Sequence, residues 1–411
     1  MYWLIIASVP GLLGLLAALI CEGSRRLESS EKAAVLPPEA PWPRVSLIVP
    51  VAGRAEGLDV ELTSLLAQDY PDFEVWVVTA ATDEPVVRVI RELMGRYPRL
   101  RHLVSGPAWG CGQKNHNLRA GLKMADPRAA IVAFCDRGRL AAPDFLRHLV
   151  APLLQGAAVA SGYHYLMPTG RSLPAQARAA AVLILRLTRE FPPLMQPWGG
   201  AVAMTRKACT RLGVAEVWGW TAVDDVSLGA RLKRLGVPVV HAPGAMLLTP
   251  VPPETWREAA RWLTRQWLYL KYYLPGTWLA AGLLVHLFLA LTLWACLSLL
   301  WAPVGGVSLL SLLALGYLGG LVTLCRRLER LPAAALTGAK GIRVWLGALV
   351  LASLSHLVTC LSHTLRWHGL EYRVGLGGRV LGVRRPAAGD PGGMGKGKGA
   401  SAGSATGPPQ V

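Results

Sequence analysis

The sequence predicts an α/β domain built on a mostly parallel sheet and carried by transmembrane helices. Between residues 44 and 275, β-branched runs alternate with segments of helical spacing, the pattern of parallel strands joined by crossover helices. Four uncharged apolar stretches flank that region, each near the length that spans about 30 Å of hydrocarbon. Hydrophobic residues make up 52% of the 411 and charged residues only 17%. That is too apolar for a wholly water-soluble enzyme or for a disordered chain.

The first apolar stretch, residues 2–20, predicts an N-terminal transmembrane anchor over 1–21. No basic segment precedes it, and Arg25 and Arg26 follow it, the reverse of a secretory signal. The positive-inside rule then puts the N-terminus outside and the chain from residue 22 in the cytoplasm. A linker is expected over 22–43. In the domain at 44–275, strands are expected at 44–51, 74–79 and 129–135, with helices at 59–68 and 85–95. Membrane segments fill 276–365. The stretches 277–301 and 304–325 form a hairpin around Ala302-Pro303 that returns to Arg326, Arg327 and Arg330. The third, 344–365, carries Ser353, Ser355, His356, Thr359, Ser362 and His363. It reads either as a span or as a re-entrant or interfacial segment, because a crossing would export the basic stretch 366–385 against the positive-inside rule. Residues 386–411, rich in Gly, Ala, Ser and Pro, read as a disordered tail.

Lys and Arg number 43 against 25 Asp and Glu, a net charge of +18. No zinc spacing, RNA-binding signature or long basic run accompanies it, so nucleic acid is excluded as a partner, and an anionic membrane surface and phosphate-bearing substrates fit instead. The seven cysteines are odd in number and show no CxxC, as expected of reduced thiols.

Ligands of parallel α/β sheets bind beyond the carboxyl ends of the strands. Asp136 directly follows the 129–135 strand, where a carboxylate either closes a turn or holds Mg²⁺ or Mn²⁺ against a diphosphate. Asp224 and Asp225 open a helical segment, as caps favoured by the helix dipole or as a cap and a general base. Gly112 to Asn117 also precedes a helix, and Lys114 there suits an anionic phosphate. Trp198-Gly199-Gly200 reads either as a plain turn or as a flat apolar face with a close backbone approach to a sugar. Arg261-Trp262 lies in an aromatic and basic stretch, 255–273, of the kind that collects at lipid headgroups.

Read in order, these pieces resemble the ceramide glucosyltransferase family over roughly residues 1–385. VSLIVPVAG is similar to its first strand, Gln68 to Pro71 with Phe73-Glu74-Val75 to its "DYP.(Y/F)EV", Asp83-Glu84-Pro85 to "DDP" and Tyr97-Pro98 to a Tyr-Pro pair. Lys114 to Leu118 resembles "K.NNL", Cys135 to Gly138 "CDSG", Asp224-Asp225 "ED", and Arg261-Trp262 the end of (Q/R)xxRW. Trp367, Gly369, Tyr372-Arg373 and Gly377-Gly378 follow "W..G.YR....GG".

The resemblance implies a GT-A, Rossmann-like domain that moves a hexose, glucose from UDP-glucose, onto a lipid hydroxyl such as that of ceramide, with inversion. It implies Asp83, Lys114, Asn117 and Asp136 at the nucleotide sugar, Asp136 as ligand of a divalent metal (Mg²⁺ or Mn²⁺), and Asp225 as the base. Asp224, Gly199, Gly200, Arg261 and Trp262 would line the acceptor and diphosphate. Three positions depart from the pattern: Ala81 where the family's nucleotide aspartate falls, Arg137 for a small Ser beside Asp136, and Glu258 for the Gln or Arg of (Q/R)xxRW. The rival readings are a catalytically silent membrane relative, which Ala81 and Glu258 favour, and a processive polysaccharide synthase, which four apolar segments disfavour.

Overall fold

The structure is a computed structural model that describes residues 2–32, 36, 41–305, 308–367 and 369–385. Most of 33–40 of the expected linker and all of the expected tail at 386–411 lie outside the described residues. Helix α1 (Tyr2–Lys32) runs through the anchor and on into the segment expected as linker. Glu22 supports that continuation by pairing with Arg25 and Arg26 at 2.7 and 2.6 Å, one turn away.

The α/β domain follows as β1 (Val45–Pro50), α2 (Leu58–Leu66), β2 (Phe73–Thr79), α3 (Val86–Met94), β3 (Leu100–Val104), α4 (Gln113–Met124) and β4 (Ile131–Cys135). Then come β5 (Leu140–Ala141), α5 (Phe145–Leu154), β6 (Val159–Pro168), α6 (Leu173–Thr188), β7 (Ala201–Thr205), α7 (Arg206–Arg211), α8 (Val214–Trp218), α9 (Asp224–Arg234), β8 (Val239–Val251) and α10 (Trp256–Tyr273). The eight strands lie in the order β3-β2-β1-β4-β7-β6-β8-β5. The expected parallel arrangement holds from β3 to β4. Beyond β4 the sheet is mixed, because β7 enters from the carboxyl end of β4 and runs antiparallel to both β4 and β6.

Every residue of β1 is buried, as in a strand covered on both faces. Leu47 and Val49 join Leu58, Leu62 and Ile90 on one face. Ile48 joins Leu118, Phe134 and Trp218 on the other, the period-two alternation of a strand.

The chain continues through α11 (Pro275–Gly305), α12 (Leu309–Glu329), α13 (Pro332–Thr337) and α14 (Ile342–Leu361) into a three-stranded antiparallel sheet of β9 (Thr364–Trp367), β10 (Leu370–Val374) and β11 (Val380–Arg384). α11, α12 and α14 are long and apolar enough to cross a membrane. α11 and α12 pack on α1 through Val9, Leu12, Phe288, Ala314 and Tyr317.

α14 differs from that hairpin. At its start, Val344, Trp345 and Ala348 pack with Ala177 and Ala180 of α6 and with Leu328 at the end of α12. At its end, Ser362 accepts a hydrogen bond from Lys271 of α10 at 3.0 Å, and the small sheet that follows is bonded to the α/β domain. Both ends therefore meet the same face of the molecule, which makes α14 a helix lying against that face. The polar residues that make its sequence ambiguous turn inward: Ser353 bonds His286 at 2.6 Å, and Thr359 accepts from the Trp278 indole at 3.0 Å. Leu354, Leu357, Val358 and Leu361 remain exposed and suit lipid.

Single cysteines placed at Lys340, His363 and Gln155, all exposed, test this topology once the exposed Cys21, Cys296 and Cys360 are replaced by serine. All three should react with an impermeant thiol reagent from the same side of the membrane. Reaction at position 363 from the opposite side alone would put α14 across the bilayer.

Candidate active site

Three elements that are distant in sequence meet at the carboxyl end of the sheet. Asp136 follows β4, and its amide lies 3.4 Å from the Gly200 carbonyl at the mouth of β7. The first turn of α4 is fastened to the segment that leads into α9. The Gly112 amide donates to Thr221 O at 2.9 Å, and the Asn115 amide donates to Thr221 O and Oγ1 at 2.9 and 3.0 Å. A Cβ on Gly112 would overlap the Ala222 carbonyl, so glycine is what permits this approach.

The fastening sets Lys114 between two carboxylates. Its Nζ lies 2.6 Å from Asp136 Oδ1 and 2.9 Å from Asp224 Oδ2, and the side chains of Lys114, Asp136 and Asp224 are 15, 25 and 5% exposed. Gly199 packs over this pair, where a Cβ would overlap Asp224 Oδ2. Its amide donates to Asp225 Oδ2 at 3.1 Å, while Asp225 Oδ1 accepts from Val226 N at 2.7 Å. The indole of Trp218 and the hydroxyl of Ser227 both donate to the Asp224 carbonyl, at 3.0 and 2.9 Å.

Burial pushes the Asp224 carboxyl well above the usual carboxylate range; the Lys114 ammonium opposes that shift, and Asp225 and Asp136 add to it. For Lys114, burial alone would favour the neutral amine, but the field of the same three carboxylates outweighs it and keeps the ammonium charged. One ammonium faces three carboxylates, and the excess negative charge at the partly open Asp136 suits a divalent cation. No group of three or more His, Cys, Asp or Glu that could hold a metal occurs among the described residues. Mg²⁺-like ions often take only one or two carboxylates, with substrate phosphates and water completing the shell.

The other expected site residues distribute unevenly. Asp83 is exposed and lines an open groove of about 960 Å³ with Ala55, Thr82, Pro85 and Arg88. Glu84 beside it holds the loop by accepting from the amides of Ala80 and Ala81 at 2.8 and 3.0 Å. Asn117 is buried and stands outside the ion cluster. Its amide joins Val78 O, Ser105 and Gln113 at 3.2, 2.8 and 2.8 Å, so its polar atoms tie β2 to α4. Gly200 packs against the ring of Trp198.

Arg137 turns away from Asp136 toward the carbonyls of Ala52 and Arg54 and toward Glu61, at 3.0, 2.5 and 3.5 Å. Glu258 forms the capping box of α10 with Thr255, which gives that departure a local structural cause. Arg261 is exposed on α10, whereas Trp262 is half-buried under the Arg178 guanidinium, 5.1 Å from its ring centroid.

Several residues at the site escaped the sequence reading. Arg139 lies 5.6 Å from the Trp198 ring, and His164 stacks on that ring at 4.3 Å. Arg178 pairs with Glu254 at 3.1 Å. Arg265, one turn beyond Arg261, has a buried Nε without a partner, as do Arg139 and Arg178. Burial lowers the Arg139 and Arg178 guanidiniums somewhat and drives His164 well below the ordinary histidine range, so that it stays neutral. Arg139 and Arg265 carried a signal in their spacing, three residues after Asp136 and one helical turn after Arg261. Arg178 and His164 carried none.

With this geometry in view, the model of glycosyl transferase family 21 matches residues 5–380, and the chain belongs to that family, as its motifs suggested. It is a glycosyltransferase with a mixed-sheet α/β domain. It is similar to a mannosyltransferase from Pyrobaculum calidifontis solved with GDP-Man and Mn²⁺, at 20% identity over 84% of this chain and 99% of that one, with a TM-score of 0.46. It is also similar to the glucosyl-3-phosphoglycerate synthase of Mycobacterium tuberculosis solved with Mn²⁺, UDP and glucosyl-3-phosphoglycerate, at 18% identity over 55% and 73% of the two chains, with a TM-score of 0.33.

Replacing Lys114 by Met leaves Asp136 and Asp224 facing each other, and loss of one partner of a buried ion pair typically costs about 3–5 kcal/mol. A carboxyl whose folded pKa lies above its unfolded value of about 3.9 favours the folded state at low pH, and that contribution fades as pH rises toward the folded pKa. The variant should therefore lose more thermal stability, relative to wild type, near about pH 8 than near about pH 5. Equal losses at both pH values would show that the ion cluster is not what the substitution disturbs.

Proposed function

We propose that the protein transfers a hexose, glucose from UDP-glucose, to the hydroxyl of a membrane lipid with inversion at the anomeric carbon, on the cytoplasmic side of the membrane. The observation that carries this reading is the division of labour between the two adjacent aspartates. Asp224 is buried and paired with Lys114, whereas Asp225 is partly open and accepts from the amides of Gly199 and Val226. Among the described residues no ion pair joins Asp225 to a Lys or Arg, which leaves its carboxylate free to accept a proton.

In this mechanism the acceptor oxygen attacks the anomeric carbon on the face opposite the diphosphate, Asp225 takes the hydroxyl proton, and the nucleoside diphosphate departs with the bonding pair. Lys114 holds Asp136 and Asp224 in register. A divalent ion shared by Asp136 and the diphosphate would offset the charge of the leaving group.

The acceptor assignment rests on where the site stands. α6, which bears Arg178, and α10, which bears Trp262 and Arg265, pack directly on α14, whose outer side is apolar. A lipid such as ceramide, a hopanoid or a glycerolipid can keep its chains in the bilayer there while its hydroxyl enters. The capping box of Glu258 gives that departure a structural use at the start of α10.

Asp225→Asn should lower incorporation of labelled glucose into membrane lipid by about 10²–10⁴ while UDP-glucose binding stays close to wild type; near-normal turnover would remove the base assignment. Asp136→Ala should instead weaken the Mn²⁺-dependent part of UDP-glucose binding, and unchanged affinity with and without Mn²⁺ would end the metal role. In intact cells, a cysteine at Gln155 should be shielded from an impermeant reagent added outside.

A further inference from the structure

The Gly377-Gly378 pair, the aromatic end of α10 and the C-terminal sheet meet at the backbone that leads into Asp224 and Asp225. Gly378 has φ +77°, and a Cβ there would overlap the ring of Tyr273, so the bare glycine backbone lies against that ring. The Tyr273 hydroxyl accepts from the amides of Ala222 and Val223, at 3.0 and 2.9 Å, and donates to the Gly378 carbonyl at 3.2 Å. Its single proton and both lone pairs are thereby used. The same backbone pairs as a short antiparallel bridge: Thr221 faces Arg379, and the Val380 amide donates to Trp220 O at 2.9 Å. Val223 is the last residue before Asp224.

The C-terminal sheet also reaches the other side of the ion cluster. The Tyr372 hydroxyl of β10 accepts from the amide of Gln113, the residue before Lys114, at 3.2 Å. Arg385 donates to Ala108 O at 2.7 Å and covers the Trp109 ring at 4.5 Å. The segments that carry the ammonium and the carboxylates are thus both held by elements from the last twentieth of the described chain and the end of α10.

We propose that Tyr273 is a positioning residue for sugar transfer: its hydroxyl seats the C-terminal sheet on residues 220–223, and that seating sets where Asp225 stands. The proposal rests on the reading of Asp225 as the base. Removing the hydroxyl leaves the Val223 amide facing an apolar ring, while the Ala222 amide keeps the Gly378 carbonyl at 3.2 Å, and a buried amide without a partner is costly enough to shift the loop. Displacing a catalytic group by about 1 Å can lower the rate by roughly 10².

The test uses the full chain in membranes, with labelled UDP-glucose, Mn²⁺ and the lipids of those membranes. Tyr273→Phe should lower kcat by about 10- to 100-fold and leave KM for UDP-glucose nearly unchanged. Amide hydrogen exchange on the purified chain should show segments 220–226 and 376–382 loosening together, with β1 and β4 as protected as in wild type. Gly378→Ala, which pushes on the ring from the other side, should loosen the same two segments. A kcat equal to wild type at equal folded content, or unchanged exchange at 220–226 in Tyr273→Phe, overturns the proposal. If wild type itself transfers no glucose, it is the donor and acceptor reading that fails. The exchange pattern then decides alone: joint loosening supports the joint at Tyr273, and its absence refutes it.

Discussion

Everything at the carboxyl end of the sheet is arranged around one buried ammonium. Lys114 brings together Asp136 and Asp224, which enter from β4 and α9, and those carboxylates would repel each other without it. Desolvating such a cluster is expensive, and the surrounding backbone shows how closely it is enclosed. Gly112 lets the first turn of α4 touch the Thr221–Ala222 backbone, and Gly199 lets the β7 loop lie on the Asp224 carboxylate. A side chain at either position would separate the charges that the cluster depends on. Close approach at Gly112 and Gly199, and the bonds of Asn117 to Val78, Ser105 and Gln113, give these motif positions a role in holding the fold of the site.

The membrane side answers to a different constraint. α6 and α10 belong to the α/β domain, yet they pack on α14, and the end of α12 joins them through Leu328 and Leu331. A polar α/β surface does not rest on lipid unaided; here an apolar helix with an inward polar face lies between them. The inward Ser353 and Thr359 are satisfied by His286 and Trp278, so their presence in an apolar stretch reflects contact with α11. The same packing keeps the basic residues at 366–385 with the α/β domain, where Arg379 faces Thr221 and Arg385 bonds Ala108.

Local patterns in the sequence marked much of this. β1, β2 and β4 are fully or almost fully buried strands, so they read as continuous apolar runs, and Asp136 was found because it follows one of them. Lys114, Asp224 and Asp225 were found because they sit in the first turns of α4 and α9. The mixed half of the sheet was harder to see, since β8 alternates irregularly and contains Pro243, Gly244 and Pro250. Arg139, Arg178 and Arg265 come from a loop, α6 and α10, and only tertiary packing brings them near one another. Tyr273 lies 50 residues from Val223 and 105 from Gly378 along the chain, a separation at which spacing in the sequence carries no signal.

The three departures from the family pattern have unequal weight once each side chain is placed. Glu258 caps α10 and Arg137 ties down the loop after β1; both act on backbone, and neither reaches the ion cluster. Arg265 stands one turn beyond the exposed Arg261 with its buried Nε unpaired, so the guanidinium turned inward on α10 belongs to a different position from the one that the motif marks. Ala81 remains the departure that bears on substrate. Its loop is drawn in by Glu84, which accepts from the amides of Ala80 and Ala81, and Asp83 is left exposed on the adjoining groove. On the function proposed above, a nucleotide at that edge would meet a carboxylate displaced by two residues and a backbone whose amides are already engaged. On that same proposal, selectivity for the donor is assigned to this loop and the chemistry of transfer to the cluster that Lys114 holds together.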